Sequence, residues 1–261
     1  MKKIELQKSF VYGPIHSRRL GVSLGVNLLP TDHKVCSFNC VYCQYGFTKE
    51  QVIDPSAATS FPDKKMIVDE LNSTLLHSVE CGQKFDYITF AGNGEPTLYP
   101  FFAQLVDEAI ALRNTHMPSA GLALLSNSSC SQLHEQPVLE AVRKFDMKIF
   151  KLDAGDSDLF AKINQPHPGI QFDRVIALLR SLDRLIIQTL FIDGAVSNCT
   201  DKAVESLIIC YKIIRPQSVQ IYSLDREPAD MRLKKVLPAR LEQIKNKILK
   251  EIPSLPVEVY T

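Results

Sequence analysis

Three cysteines near the start of the chain could do chemistry together. Cys36, Cys40 and Cys43 are spaced C-x3-C-x2-C in a predicted loop that follows a strand. Three thiolates so close in sequence can converge on one metal centre, and a [4Fe–4S] cluster held by three cysteines keeps one iron without a protein ligand. That iron is where a reaction could take place. The alternative is structural zinc, because Cys-x2-Cys is common in zinc sites and His33 could supply a fourth ligand.

The aromatic residue Tyr42, directly before the third cysteine, extends this pattern. The segment resembles the C-x3-C-x-aromatic-C signature of the radical S-adenosylmethionine (SAM) superfamily. That resemblance implies two cofactors, a [4Fe–4S] cluster and SAM, with SAM chelating the open iron through its amino and carboxylate groups. In that superfamily an electron from the cluster breaks the sulfonium and yields methionine and a 5′-deoxyadenosyl radical.

Composition limits the classes of protein that fit. With 261 residues, 45% of them hydrophobic, the chain can bury a substantial core. We expect a single domain over residues 1–261, with its core at about 22–225 and a C-terminal helix and tail at 238–261. The formal net charge of +1, from 30 basic and 29 acidic residues, gives no global electrostatic reason to expect a nucleic-acid partner.

The compartment is predicted from cysteine usage and from apolar runs. The other four cysteines are scattered rather than paired by spacing: Cys81, Cys130, Cys199 and Cys210. Such usage favours a reducing compartment over a disulfide framework, so we expect a cytoplasmic protein. The first six residues do not resemble a signal peptide. No segment approaches the ~18 apolar residues of a membrane span, and no membrane association is expected.

Strand and helix patterns alternate along the chain. Strands are predicted at 22–29, 87–91, 122–125, 148–152, 185–192 and 218–221, and helices at 66–79, 101–112, 137–145, 172–182, 202–214 and 240–249. We read 11–21 as a loop and 256–260 as an added edge strand. This alternation predicts an α/β fold with a parallel sheet. It also resembles the partial (β/α)6 barrel of radical SAM enzymes, in which the site lies at the carboxyl ends of the strands.

The segment after the second predicted strand reads Gly-Asn-Gly-Glu-Pro. It resembles the Gly-Gly-Glu-Pro motif of the superfamily, in which backbone carbonyls and the glutamate receive the ammonium group of SAM. A glycine backbone can approach a ligand closely, and a carboxylate can satisfy a partly desolvated cation. The alternative is a simple turn, because Asn-Gly and Glu-Pro are turn-forming pairs. The residues predicted to bind SAM here are Gly92, Asn93, Gly94 and Glu95.

Five more polar residues stand at or near later strand ends, and with Tyr42 they complete the predicted cofactor site: Ser126, Asn127, Lys151, Asp153 and Gln188. Ser126 and Asn127 resemble a pair that meets the SAM ribose or carboxylate, although both residue types also start helices. Lys151 could hold a carboxylate, form a Schiff base or pair with Asp153 at the rim. Gln188, inside a buried strand, needs a partner, either a bound nucleoside or a neighbouring strand's side chain. We assign no catalytic residue.

A second layer of resemblance involves Arg18, Arg19 and the segment that begins at Asp225. It points to the subgroup related to wybutosine-synthesising enzymes, which modify tRNA, and the arginines could bind phosphate or carboxylate or remain a solvated pair. The tRNA-modifying members carry an earlier cysteine cluster, which is absent before Cys36, so tRNA is a weaker expectation. Without a fused flavodoxin-like domain, we expect an external electron donor of the flavodoxin or ferredoxin type. The substrate is not identified by sequence.

Overall fold

A mostly parallel β-sheet organises the chain. In the computed structural model, which describes residues 4–58, 60–129 and 136–261, the strands are β1 (Val11–Ser17), β2 (Gly21–Val26), β3 (Val35–Cys36), β4 (Glu50–Gln51), β5 (Tyr87–Phe90), β6 (Gly121–Ser126), β7 (Met147–Lys151), β8 (Leu185–Gly194), β9 (Ser218–Ser223), β10 (Leu233–Lys235) and β11 (Val257–Tyr260). The helices are α1 (Lys64–Glu80), α2 (Phe102–His116), α3 (Gln136–Arg143), α4 (Ser157–Asn164), α5 (Phe172–Ser181), α6 (Asp201–Ile214) and α7 (Pro238–Glu251).

The order of the strands confirms the predicted α/β class. Across the sheet the described strands follow the order β1, β2, β5, β6, β7, β8, β9 and β11, and β10 pairs with β8. From β2 to β11 every neighbouring pair is parallel, whereas β1 and β10 run antiparallel to their partners. Helices connect the successive parallel strands, as parallel pairing requires. The predicted edge strand at 256–260 is β11.

The helices pack on the sheet through one apolar face. In α1 the buried residues Ile67, Leu71 and Leu75 recur every four positions, which places them on one side of the helix. On the sheet, the ring of Phe90 meets the ring of Phe145 edge-on, with centroids 5.3 Å apart. Such a pair contributes about 0.5–1.5 kcal/mol beyond the burial of its area. This packing gives the loops at the strand ends a rigid support.

The N-terminal segment 11–21 is not a loop, so that prediction is wrong. It forms β1 and a tight turn into β2, with a register shift between Tyr12 and Ile15. Pro14 has no N–H to donate, and β1 tolerates it because the strand lies at the edge of the sheet. The glycine, proline, serine and arginine content that suggests a loop therefore belongs to an edge strand and its turn.

Helix α4 is missing from the predicted elements. Asp156 caps its start by accepting a hydrogen bond from the N–H of Leu159 at 2.9 Å, and Gln165, in the left-handed region at φ 42°, ends it. Phe160 and Ile163 are buried on its inner face. Within its eight residues the large apolar side chains are confined to Leu159, Phe160 and Ile163, so the sequence shows less than two turns of an apolar stripe.

The turn between β1 and β2 reaches the other end of the sheet. Arg18 on this turn donates from Nη2 to Oδ2 of Asp225, just past β9, at 2.6 Å, and also bonds the carbonyl oxygen of Thr261 after β11. Leu20 is buried against Ala123 of β6 and Ile149 of β7. The turn therefore spans the open side of the curved sheet and encloses a cavity.

Two expectations about the whole protein stay predictions: a single domain over 1–261 and a cytoplasmic location. In the described ranges, no helix combines the length and apolarity needed to cross a bilayer. The cysteines within those ranges are free thiols. Cys130, one of the four scattered cysteines, lies outside the described residues.

Candidate active site

A cavity of about 630 Å³ opens at the strand ends that the sequence singles out. That volume lies within the range of small-molecule sites, about 300–1,000 Å³. The predicted site residues that line it are Cys36, Cys40, Tyr42, Cys43, Gly92, Gly94, Glu95, Ser126, Asn127, Lys151 and Gln188. Asn93 and Asp153 are not among the described residues that line it. The chain thus brings eleven predicted residues together and places two behind the wall.

The cysteine loop is held in place by α4. The N–H of Val41 donates to the carbonyl of Ile163 at 3.0 Å, and the N–H of Asn39 donates to the carbonyl of Asn164 at 3.1 Å. Phe38 packs edge-on against Phe160, with centroids 5.4 Å apart. The helix that sequence patterns miss is therefore the support of the loop that carries the thiols.

Close packing explains why the two positions after β5, Gly92 and Gly94, are glycines. The N–H of Glu95 donates to the carbonyl of Val35 in β3, at 3.3 Å. A Cβ on Gly94 would lie 1.7 Å from that carbonyl oxygen, and its φ of +146° disfavours any other residue. Gly92, at φ +151°, lies as closely against Asn27, where a Cβ would be 2.3 Å from Oδ1. The glycines let the 92–95 segment pack directly against the cysteine loop.

Lys34 places a buried positive charge beside the three thiols. Its side chain lines the cavity and donates from Nζ to the carbonyl of Gly46 at 3.1 Å. Burial raises the pKa of Cys36 to about 11 and that of Cys40 to about 12, and Lys34 opposes both shifts. Burial lowers the pKa of Lys34, but the charges of Cys43 and the other cysteines outweigh it, so that pKa is raised. A buried cation suits an anionic centre such as a thiolate-bound cluster.

Two asparagine side chains donate to cysteine sulfurs. Asn127 Nδ2 lies 3.5 Å from Sγ of Cys36, and Asn164 Nδ2 lies 3.5 Å from Sγ of Cys40. Hydrogen bonds to ligand sulfurs are a means by which proteins set the potential of an iron–sulfur cluster. The free thiols, the buried ammonium and these donors fit a [4Fe–4S] cluster. The predicted site omits Lys34 and Asn164. The position of Lys34, two residues before the first cysteine, is a sequence signal that could have identified it.

Glu95 is the centre of a hydrogen-bond network rather than an exposed carboxylate. It is 1% exposed, and its Oε1 accepts from the N–H and hydroxyl of Thr97 and from the hydroxyl of Ser126. Its Oε2 accepts from the N–H of Asn127 at 2.7 Å. Burial raises the pKa of Glu95, and these donors act against that shift. The carboxylate therefore orients Ser126 and Asn127, while Oε2 keeps capacity for a further donor.

Asn93 anchors the N-terminal segment behind the cavity. The residue is fully buried, and its Nδ2 donates to the carbonyls of Gln7 and Pro30, at 3.0 and 2.8 Å. Its own carbonyl accepts from the N–H of Val35. The expectation that Asn93 contacts the cofactor is therefore replaced by a positioning role, because its side chain and its carbonyl are engaged by the protein.

Asp153 joins the cysteine loop to Lys151. It accepts from the hydroxyl of Tyr42, from Asn164 Nδ2 at 3.0 Å and from the N–H of Leu190 at 2.9 Å. Lys151 Nζ lies 2.9 Å from Oδ1 of the same carboxylate. The carboxylate is inaccessible to solvent, so it positions its neighbours instead of meeting a ligand. The predicted alternative of an ion pair between Lys151 and Asp153 is what the structure contains.

Lys151 is held as a cation. Burial lowers its pKa, but Asp153, then Tyr222, more than offset that effect, and the pKa is raised. Nζ also donates to the hydroxyl of Tyr222 at 3.1 Å and lies over the ring of Tyr42. A lysine whose ammonium form is stabilised is a poor nucleophile, which favours a charge contact over a Schiff base at this position.

Gln188 finds its partners on the next strand. Its Nε2 lies 3.3 Å from Oε1 of Gln220, which stands opposite it in β9, and its Oε1 accepts from the hydroxyl of Tyr222 at 3.1 Å. Of the two alternatives for this buried amide, the neighbouring strand is the one that the structure contains. Gln188 still lines the cavity beside Lys151.

The position of His33 bears on the alternative of a zinc site. Within the described ranges, no three His, Cys, Asp or Glu side chains converge around a point where one metal ion would bind. His33 lies instead between two carboxylates, with Nδ1 2.7 Å from Asp32 and Nε2 3.4 Å from Glu50. An iron–sulfur cluster does not require its three cysteines to converge on one metal ion, because each cysteine binds a different iron.

Solved structures with a similar fold include radical SAM proteins. A radical SAM methyltransferase from Sphaerobacter thermophilus matches with a TM-score of 0.65 at 16% identity, covering 91% of this chain and 65% of that one. SuiB of Streptococcus suis, solved with S-adenosylmethionine, gives 0.63 at 15% identity over 91% of this chain and 50% of its own. TYW1 with a lysine-pyruvate adduct gives 0.58 at 15% identity, with coverage of 87% and 73%. The fold is the partial (β/α) barrel of the radical SAM superfamily, as predicted.

Sequence relatives supply the family. A UPF0026 protein of Methanocaldococcus jannaschii is 31% identical over 241 residues, which are 90% of this chain and 69% of that protein. The chain belongs to the UPF0026 family. A protein of Brachyspira hyodysenteriae named GTPase Obg is 32% identical over 246 residues, 93% of this chain and 34% of that relative. This chain thus spans about a third of that relative, and its own sequence contains no G-x4-G-K-S/T segment. No protein-family model matches the chain.

Proposed function

We propose that this protein is a radical SAM enzyme that cleaves SAM reductively at a [4Fe–4S] cluster and removes a hydrogen atom from its substrate. The observation that carries the proposal is the shared cavity: the free thiols of Cys36, Cys40 and Cys43 line the same space as Gly92, Gly94, Glu95, Ser126 and Asn127. The fold, which is similar to that of a radical SAM methyltransferase, agrees with this function. When bound, the cluster would supply one electron to the sulfonium of SAM.

The three cysteines would hold the cluster, and Lys34 would compensate its charge from within the protein. Loop contacts to α4 position the thiols, because the N–H groups of Asn39 and Val41 donate to carbonyls of that helix. Asn127 and Asn164 donate to two of the sulfurs. These groups orient the ligands and restrict water at the site.

SAM would bind along the wall formed by Tyr42, Gly92, Gly94 and Glu95. The free capacity of Glu95 Oε2 suits an ammonium group, and Ser126 and Asn127, both fixed by Glu95, offer polar atoms beside it. Lys151 and Gln188 lie further along the same wall and would meet the nucleoside or the substrate. Asn93 and Asp153 would act through the residues that they position.

The reducing electron would come from a separate protein of the flavodoxin or ferredoxin type. This partner, like tRNA as a substrate, is carried over from the family resemblance. A tRNA substrate would show itself as retention on a polyanion column that falls steeply with salt. The neutral overall charge, +1 by formal count, does not favour it.

The direct test is SAM cleavage without a substrate. The anaerobically reconstituted protein, reduced with dithionite, should slowly convert SAM into 5′-deoxyadenosine and methionine, measured by chromatography of quenched reactions. Cys43→Ala should abolish the product, whereas Cys210→Ala, a thiol that lies outside the cavity, should retain it. A fully loaded cluster with bound SAM that gives no 5′-deoxyadenosine would show that the radical mechanism is wrong.

A further inference from the structure

Arg19 lies in the cavity between two tyrosine rings. Its guanidinium carbon is 4.5 Å from the ring centroid of Tyr222 and 4.5 Å from that of Tyr260, so the cation stacks on both faces. Nε and Nη2 are closed to water and have no hydrogen-bond partner in the described part of the chain. The side chain as a whole is half-buried and lines the cavity.

The carboxylate that acts on Arg19, that of Asp225, is shared with two other cations. Asp225 lines the same part of the cavity, but Arg18 Nη2 lies 2.6 Å from one of its oxygens and Lys235 Nζ lies 2.9 Å from the other. Arg226 also lines the cavity, is exposed, and has no ion pair or hydrogen bond within the described ranges. Positive charge therefore exceeds negative charge along this side.

Tyr222 connects this side to the predicted site. One face of its ring contacts Arg19, and its ring and hydroxyl also contact Lys151, whose Nζ is 4.9 Å from the ring centroid. Because Lys151 already has Asp153 as its partner, the unmatched charge belongs to Arg19 and Arg226. A group bound by these two arginines would share the cavity with SAM.

We propose that the substrate is a small molecule with a carboxylate or phosphate group, which Arg19 and Arg226 bind in the cavity. This inference rests on the proposed function, because it names the class of molecule that the radical would act on. A guanidinium donates charge-assisted hydrogen bonds to either oxyanion, and a guanidinium stacked between rings is oriented in advance. A small molecule fits better than a nucleic-acid strand because Arg19 is enclosed by rings inside the cavity rather than displayed on the surface.

Two probes would test the site on the full, reconstituted protein. Inorganic phosphate and succinate are titrated separately by calorimetry in the presence of saturating SAM, and the tighter probe identifies the kind of oxyanion. Arg19→Gln should weaken that probe at least about tenfold, because a charge-assisted contact is lost. Arg226→Gln should weaken it by a smaller factor, since that side chain is exposed. Arg19→Lys should fall between Arg19→Gln and the parent protein.

Arg180→Gln is the matched control. This arginine is exposed on α5 and does not line the cavity, so probe affinity should change less than about twofold. Iron content and the thermal unfolding midpoint of each variant establish that it is folded, and the exposed Arg226 gives a second variant if Arg19→Gln fails to fold.

Three outcomes would overturn the inference. If neither probe binds the parent protein, the proposed anion site does not exist. If Arg19→Gln loses as much affinity for SAM as for the probe, Arg19 binds the carboxylate of SAM instead. If the parent protein binds polyuridylate but neither probe, and this binding is lost in Arg19→Gln and weakened by salt, the site belongs to nucleic acid. Failure of the proposed function is a separate result: no 5′-deoxyadenosine from the parent protein, with anion affinity intact.

Discussion

The two sides of the cavity differ in how their polar groups are satisfied. On the cysteine side, Glu95 accepts four hydrogen bonds from the protein. Asp153 accepts hydrogen bonds from three separate parts of the chain, through Tyr42, Asn164 and Leu190. On the arginine side, Arg19 has two buried nitrogens without partners, and Arg226 extends from the surface unpaired in the described part of the chain. Glu95 and Asp153 follow β5 and β7, whereas Arg19 lies on the β1–β2 turn and Arg226 follows β9.

This difference distinguishes polar groups that the protein itself holds in position from polar groups whose hydrogen bonds a ligand would complete. Buried polar groups with full partners hold their geometry, because removing any one of them leaves another unsatisfied. Donors without acceptors are costly in the free protein and gain when an acceptor arrives. The cysteine side therefore suits cofactors whose position must be constant, and the arginine side suits the group that distinguishes one substrate from another.

The largest expected effect comes from breaking the cysteine side itself. Reconstitution of the parent protein should give about four irons per chain, and Cys43→Ala should lose them all, because two thiolates are too few to hold the cube. Iron analysis and the visible spectrum measure this. Cys199→Ala and Cys210→Ala should keep the iron, since neither thiol lines the cavity. An intact cluster in Cys43→Ala would refute the ligand assignment.

A second, smaller effect is expected when Asp153 becomes Asn. The change keeps the shape but removes the charge opposite Lys151, and it places a donor where Tyr42 and Asn164 also donate. Breaking a buried pair costs about 3–5 kcal/mol, so denaturant unfolding should show a loss approaching that size. Asp183→Asn is the control, because its partner Lys148 lies on the outer side of the sheet at 3.1 Å, away from the cavity. Iron loss in Asp153→Asn alone would show that Asp153 supports the cysteine loop.

Sequence patterns predict the strands and the gathering of the site well, for a physical reason. Parallel strands present their carboxyl ends at one edge of the sheet. Motifs that follow successive strands therefore lie close together, whatever conformation their loops adopt. The roles within the site are harder to predict, because a buried carboxylate and a ligand-facing one look alike in sequence. Glu95 and Asp153 are examples: what distinguishes them is the donors around them, which come from Thr97, Ser126 and Leu190.

Two omissions have different causes. Helix α4 is too short for a periodic signal, although Asn164 at its end contacts both Cys40 and Asp153. The β1–β2 turn is hidden by its composition, since glycine and arginine in a polar run indicate a loop. The contacts of Arg18 with Asp225 and of Arg19 with Tyr222 and Tyr260 reveal that the turn closes the cavity.

Glu95→Gln is expected to have an intermediate effect on the cysteine side. The amide would place an NH2 group against donors from Thr97, Ser126 or Asn127, which should cost roughly 1–3 kcal/mol of stability. SAM affinity should fall about tenfold in calorimetry while the iron remains, because the charge-assisted contact and the position of Asn127 are both affected. Thr97→Val separates the two causes, since it removes one donor to Glu95 but keeps the carboxylate. Unchanged SAM affinity in Glu95→Gln would leave Glu95 with a structural role only.

The smallest expected effect tests whether the charge of Lys34 acts on the cluster. Reduction adds an electron, and a buried ammonium beside the three thiols favours the reduced form, so Lys34→Met should make the midpoint potential more negative. A shift of about 60 mV is expected, equivalent to a tenfold change in a one-electron equilibrium. Lys34→Arg keeps the charge and should stay near the parent value in the same anaerobic redox titration followed by electron paramagnetic resonance. If Lys34→Met instead leaves the potential unchanged and only lowers stability, the side chain serves as a tether to Gly46, and the cysteine side is fixed by hydrogen bonds alone.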